Sequence, residues 1–217
     1  RPRLKWQGDR IGLISRYRVS PSNSGTILGD TLQVTNANVL PSEVSAIPNA
    51  GYHFVEWRNQ LGDSITNINP LLVNVISDTL LIAVLDLNSY ELVFNPNSGN
   101  GSMENQTITY THTATLPLNL FTRTGYTFAG WSNNPNGSVE YTDEATYTMQ
   151  TAANDTLYAQ WAPNNYDVVF DANGGNGNMQ NQTTAFNSTV ALNSNTFTRT
   201  GYTFLGWSRS TDGSVEF

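Results

Sequence analysis

Apolar and polar positions alternate with a period of two along most of this chain. Tyr90, Leu92 and Phe94 alternate with Glu91 and Val93, and Tyr166, Val168 and Phe170 repeat the pattern. Leu157, Ala159 and Trp161 alternate with Tyr158 and Gln160. A period of two puts one face of a strand toward a core and the other toward water. Between these runs lie Asn/Gly clusters: Asn97-Ser98-Gly99-Asn100-Gly101, Asn136-Gly137 and Asn173-Gly174-Gly175-Asn176-Gly177. Asn and Gly tolerate positive φ, as tight hairpin turns demand. No amphipathic helix of three turns is legible, and Asp143–Met149 has room for one turn at most. The pattern predicts a β-rich chain, at the strand-dominated end of the α+β class, with little helix.

The alternation comes in copies. The string FTRTGYTF stands at Phe121–Phe128 and again at Phe197–Phe204. Aligning residues 90–141 with 166–217 needs no gap, and 29 of the 52 positions are identical. An earlier, diverged copy has Gly51-Tyr52-His53-Phe54-Val55-Glu56-Trp57 where the second has Gly125 to Trp131. Repetition at a fixed period marks an array of one small unit. The reading divides the chain into a basic tail or linker over 1–16, a divergent module over 17–88, a second over 89–163 and a third over 164–217. The third stops before its own match to Thr156–Trp161, so the chain reads as part of a longer one. Short polar joints, Asp86–Ser89 and Ala162–Asn165, predict a stiff or semi-stiff string of modules.

Charge narrows the partners. Charged residues make up 12% of the chain, about half the usual share of a soluble domain. The net charge of −7 splits into +5 over residues 1–18 and −12 over the rest. An acidic body argues against nucleic acid, whose binding rests on Lys and Arg neutralising phosphates. Cysteine is absent, which removes disulfides, thiolate metal sites and cysteine nucleophiles. The longest apolar stretches, such as Leu80–Leu85, are strand-sized, so this segment predicts no membrane insertion.

The residues resemble the internalin B-repeat family, also called the Listeria–Bacteroides repeat. The second module carries Met103 and Gln106, Thr122 to Trp131, Tyr147-Thr148-Met149 and Thr156 to Trp161; the third carries Phe170-Asp171-Ala172-Asn173-Gly174-Gly175, Met179, Gln182 and Thr198 to Trp207. The resemblance implies a β-grasp-like module, repeated in tandem on bacterial cell-surface or secreted proteins, with no catalytic activity. It implies stalk, adhesion or host-interaction roles without choosing among them.

Candidate chemistry is sparse. Tyr52, Phe54 and Trp57, then Phe94, Tyr126, Phe128, Trp131 and Trp161, then Phe170, Tyr202, Phe204 and Trp207 recur once per module. They suit a sugar-stacking platform or the module cores, and strand spacing favours cores. Arg123 and Arg199 precede each GYTF and suit an anion or an aromatic stack; Tyr110, Tyr158 and Trp6 lie outside the repeated core set and are candidate partner contacts. Asp171-Ala-Asn173-Gly-Gly-Asn176 is closer to a hairpin turn than to a calcium loop, lacking the later Glu of such loops. His53 and His112 are the only histidines and stand in non-equivalent places; Asp143–Glu144 would point to opposite faces of a strand. No catalytic residue, metal or cofactor is expected. The expectation is a non-enzymatic, extracellular repeat segment that spaces an adhesive region. The alternatives are a binding module for a host or neighbouring-cell protein or glycan, and a fibre subunit that self-associates through the incomplete third module.

Overall fold

The computed structural model describes residues 12–36 and 38–217, and the described residues contain strands and turns but no helix. The strands are β1 (Leu13–Ser20), β2 (Gly25–Leu28), β3 (Leu32–Thr35), β4 (Ser45–Pro48), β5 (Tyr52–Arg58), β6 (Ser64–Thr66) and β7 (Thr79–Leu87) in the first repeat. The second repeat holds β8 (Ser89–Asn95), β9 (Gln106–Thr109), β10 (Thr113–Thr115), β11 (Tyr126–Ser132), β12 (Thr146–Thr148) and β13 (Asp155–Pro163). The third holds β14 (Asn165–Val168) and β15 (Gln182–Ala185). Asp143–Met149, with room for one helical turn at most, forms instead a tight turn followed by β12. Glu144 takes a φ of 56°, which no right-handed helix accommodates, and Thr146-Tyr147-Thr148 pair with Thr113-Ala114-Thr115. The α+β expectation therefore gives way to an all-β arrangement among the described residues.

These residues gather into two compact units, and the boundary runs through the second repeat. The first unit takes the described residues up to Val93 together with Asn105–Thr115 and Thr146–Thr156. Its five-stranded sheet has the order β3-β1-β7-β5-β6. β1 and β7 run parallel, with Tyr17 beside Leu81 and Val19 beside Ala83, while β5 pairs antiparallel to β7. Along β7 the buried positions are Leu81, Ala83 and Leu85, the alternation expected of a half-buried strand. They meet Tyr17, Trp57, Val44, Ala46 and Leu71 in one core. Trp57 is fully buried and takes the edge of Tyr17 at 6.1 Å. Burying such a ring contributes on the order of 2–3 kcal/mol, a large share for a module this small. β1 starts at Leu13, inside the stretch set apart as a tail, because Ser15 and Tyr17 must reach this core.

The second unit takes Phe94–Glu104, Leu116–Ala145 and Leu157–Phe217. In the second repeat the sheet order is β11-β13-β8-β9. Trp131 is its centre, fully buried against Phe128 at 4.9 Å, Phe94 at 5.2 Å and Phe121 at 6.0 Å. A bulge falls between Phe128 and Gly130, with Gly130 at φ 143°, and Gly130, Trp131 and Ser132 that follow it are all buried. Leu157 and Ala159 of β13 are fully buried. The Asn/Gly clusters form the expected turns: Asn97 and Ser98 both have positive φ and Gly99 N–H donates to the Pro96 carbonyl at 2.9 Å. Asn173 and Gly174 do the same, with Gly175 N–H on the Ala172 carbonyl at 2.9 Å. Positive φ at both central residues is the hairpin geometry of type I′.

Candidate functional site

The groups that catalysis would need are dispersed or already occupied. Among the described residues no cluster of three His, Cys, Asp or Glu side chains exists. The Nδ1 of His53 lies 2.8 Å from Asn88 Oδ1. Asp143 Oδ1 accepts the Asn119 N–H at 3.0 Å, and Asp171 Oδ1 accepts the Asn173 N–H at 2.7 Å, closing an Asx turn. Among the described residues Glu56 is the one carboxyl held below its usual range, by the Ser64 hydroxyl first and then by the Arg58 guanidinium, whose Nε donates at 2.6 Å. That trio lies on the exposed face of β5 and β6 and tunes no cleft.

The aromatic residues form one cage per repeat. In the third repeat Trp207 packs on Phe170 at 4.7 Å, Phe204 at 4.9 Å and Phe197 at 6.2 Å, nearly the distances around Trp131. Phe170 is buried, as Phe94 is, while Trp161, Tyr52, Phe54, Tyr126 and Phe128 are half-buried. Tyr202 and Phe204 are exposed, at 68% and 46%, so the structure does not bury these two as core residues. Residues 202–207 form no strand, and no described strand covers them as β13 covers β11. The result is an open groove of about 1180 Å³ lined by Phe170, Val190, Leu192, Phe197, Phe204 and Trp207.

Arg123 and Arg199 stack over the Tyr126 and Tyr202 rings at 4.0 and 4.1 Å. Their sequence position explains this: each opens a four-residue turn that ends on the tyrosine it covers. Tyr126 N–H donates to the Arg123 carbonyl at 3.0 Å and Tyr202 N–H to Arg199 at 3.1 Å, with Gly125 and Gly201 supplying the positive φ. Tyr158 is half-buried on β13, and Trp6 lies outside the described residues.

The most strongly built feature lies at the joints between repeats. Only Asn88 stands between β7 and β8, and only Asn164 between β13 and β14, so each joint is one residue rather than four. Asn88 N–H donates to the Gly51 carbonyl at 2.8 Å and its own carbonyl accepts the Tyr110 N–H at 2.8 Å. Asn164 makes the same pair with Gly125 and Phe186, both at 2.8 Å. Each asparagine side chain is held as well, Asn88 Oδ1 by His53 and Asn164 Oδ1 by the Thr127 hydroxyl at 2.6 Å. A Cβ on Gly51 would stand 2.2 Å from the Tyr110 ring, and one on Gly125 would stand 2.4 Å from the Phe186 ring. Both aromatics lie 22 residues after their asparagine, and both asparagines keep the same period just ahead of the aligned stretch.

The fold and these joints define a protein built as a tandem array of small all-β repeats. Residues 90–160 and 166–217 match the Listeria-Bacteroides repeat domain, and residues 16–79 match the divergent InlB B-repeat domain. The chain belongs to this repeat family. Over 216 residues it is 29% identical to a protein of Evansella cellulosilytica named as a membrane protein, covering 97% of this chain and 30% of that one. It is 34% identical over 156 residues to internalin H of Listeria monocytogenes, covering 68% of this chain and 26% of internalin H. A Gly-rich membrane protein of Evansella cellulosilytica is 40% identical over 102 residues, 44% of this chain and 12% of that protein. The chain thus spans less than a third of the length of these relatives. No helix among its described residues is long and apolar enough to cross a membrane.

Proposed function

We propose that this chain is a non-enzymatic spacer segment of an extracellular bacterial surface protein, made of β-grasp-like repeats that carry an adhesive region away from the cell. The observation behind this reading is that the repeats are joined without a flexible linker. One hydrogen-bonded asparagine is the whole connection at each joint, and the same bonds recur at both. The parallel pairing of β1 and β7, the first and last long strands of their repeat, supports the β-grasp-like description. Kinship with internalin H supports a surface location. The test deletes this segment from its full-length protein and then restores the length with unrelated rigid domains. Adhesion lost on deletion and recovered with length fits a spacer. Adhesion that returns only with the native repeats assigns them a host-protein or glycan contact instead.

A further inference from the structure

We infer that the glycine, asparagine and aromatic residue at each joint act as a clasp that couples the stability of one repeat to that of the next. This rests on reading the chain as a tandem array, but not on what the array presents. The clasp draws its parts from both sides. Gly51 closes a turn before β5 of the first repeat, with Tyr52 N–H on the Asn49 carbonyl at 3.0 Å, while Tyr110 follows β9 of the second. Gly125 and Phe186 stand in the same relation across the next joint.

Three kinds of contact converge there. The joint asparagine spends both its backbone groups across the junction, donating backward and accepting from ahead. The aromatic ring fills the space that any side chain on the glycine would need. The glycine itself holds positive φ, 84° at Gly51 and 78° at Gly125, so the turn and the ring seat impose the same residue for two reasons. A further ring then extends each contact: Tyr90 meets Tyr110 edge-on at 6.4 Å, and Tyr126 meets Phe186 at 5.5 Å beneath the Arg123 stack. Each joint lies inside one compact unit, whereas the boundary between units falls within the second repeat. Compactness therefore follows the clasp and not the sequence period. In a repeat array, stability is a sum of intrinsic terms and nearest-neighbour terms, and the clasp supplies the neighbour term.

The test is native-state hydrogen exchange on the full chain, read strand by strand. Leu157→Ala weakens the second repeat, and with the clasp intact it should also speed exchange in β5 and β7 of the first. Adding Tyr110→Ala should cut that transmitted effect by about tenfold, within the range measured for residues in direct contact. Tyr110→Phe keeps the ring and should keep the transmission. Phe186→Ala offers the parallel measurement, read in β14 and β15, should the first joint lose its local fold. Transmission that survives both alanine variants, or that Tyr110→Phe abolishes as fully as alanine does, overturns the clasp.

Discussion

The Phe186 ring occupies the place where Gly125 would carry a side chain, and Phe186 N–H reaches the same asparagine, Asn164, that donates to the Gly125 carbonyl. Two residues 61 positions apart in sequence are thus held by one intermediary and by direct contact. The three equivalent glycines of the chain separate these influences.

Gly51, Gly125 and Gly201 all have φ near 80°, but no described atom lies within 4 Å of a Cβ on Gly201. Alanine at Gly201 should therefore cost only the left-handed backbone penalty, roughly 1–2 kcal/mol. Alanine at Gly51 or Gly125 should lose that and about 1–3 kcal/mol more, because a ring must move. Urea unfolding of the three variants checks this, and equal losses at all three sites would remove the ring contact from the account.

Trp131→Ala should unfold the second repeat. Trp131 is fully buried and touches Phe94, Phe121 and Phe128, and its Nε1 has no hydrogen-bond partner, so packing is what holds its side chain. Truncating a buried Trp costs about 3–5 kcal/mol, most of what a module this size possesses. Thermal unfolding followed by circular dichroism reads the result; a retained transition with parent amplitude would contradict the central placement.

Acid should erase one small contribution. Glu56 is held below its ordinary 4.5 by Ser64 and Arg58, so it favours the folded state above that pH and loses this effect as pH falls through its lowered value. Glu56→Gln should be slightly less stable than the parent at neutral pH and indistinguishable from it well below the carboxylate range. The difference is small because the Glu56–Arg58 pair lies at the surface, where solvent screens it. Urea midpoints at the two conditions test it, and a difference that persists in acid assigns the effect to packing.

Much of the fold was legible because its cause is local. The period-two runs gave β8 and β13, and Asn97-Ser98 and Asn173-Gly174 announced their turns through residues that accept positive φ. The joints were harder. Asp86 to Ser89 is polar and reads as a linker, yet β7 runs to Leu87 because His53 and Asp86 still pair across the sheet. Tyr110 carried no strand periodicity and so looked like a free surface ring. Its partner is a glycine 59 residues away, and a residue without a side chain leaves no hydrophobic trace to pair with. Tyr202 and Phe204 share every local signal with Tyr126 and Phe128, and their exposure is set by a covering strand that local sequence does not encode.

The clasp takes its glycine from one copy and its ring from the next, which bears on how such a gene can change. Any in-register duplication or loss of a whole period returns a glycine facing a ring, wherever the breakpoint falls. The array can lengthen or shorten by recombination without inventing a new contact, whereas a frame-preserving insertion of a single residue at Asn88 or Asn164 would break the register on both sides.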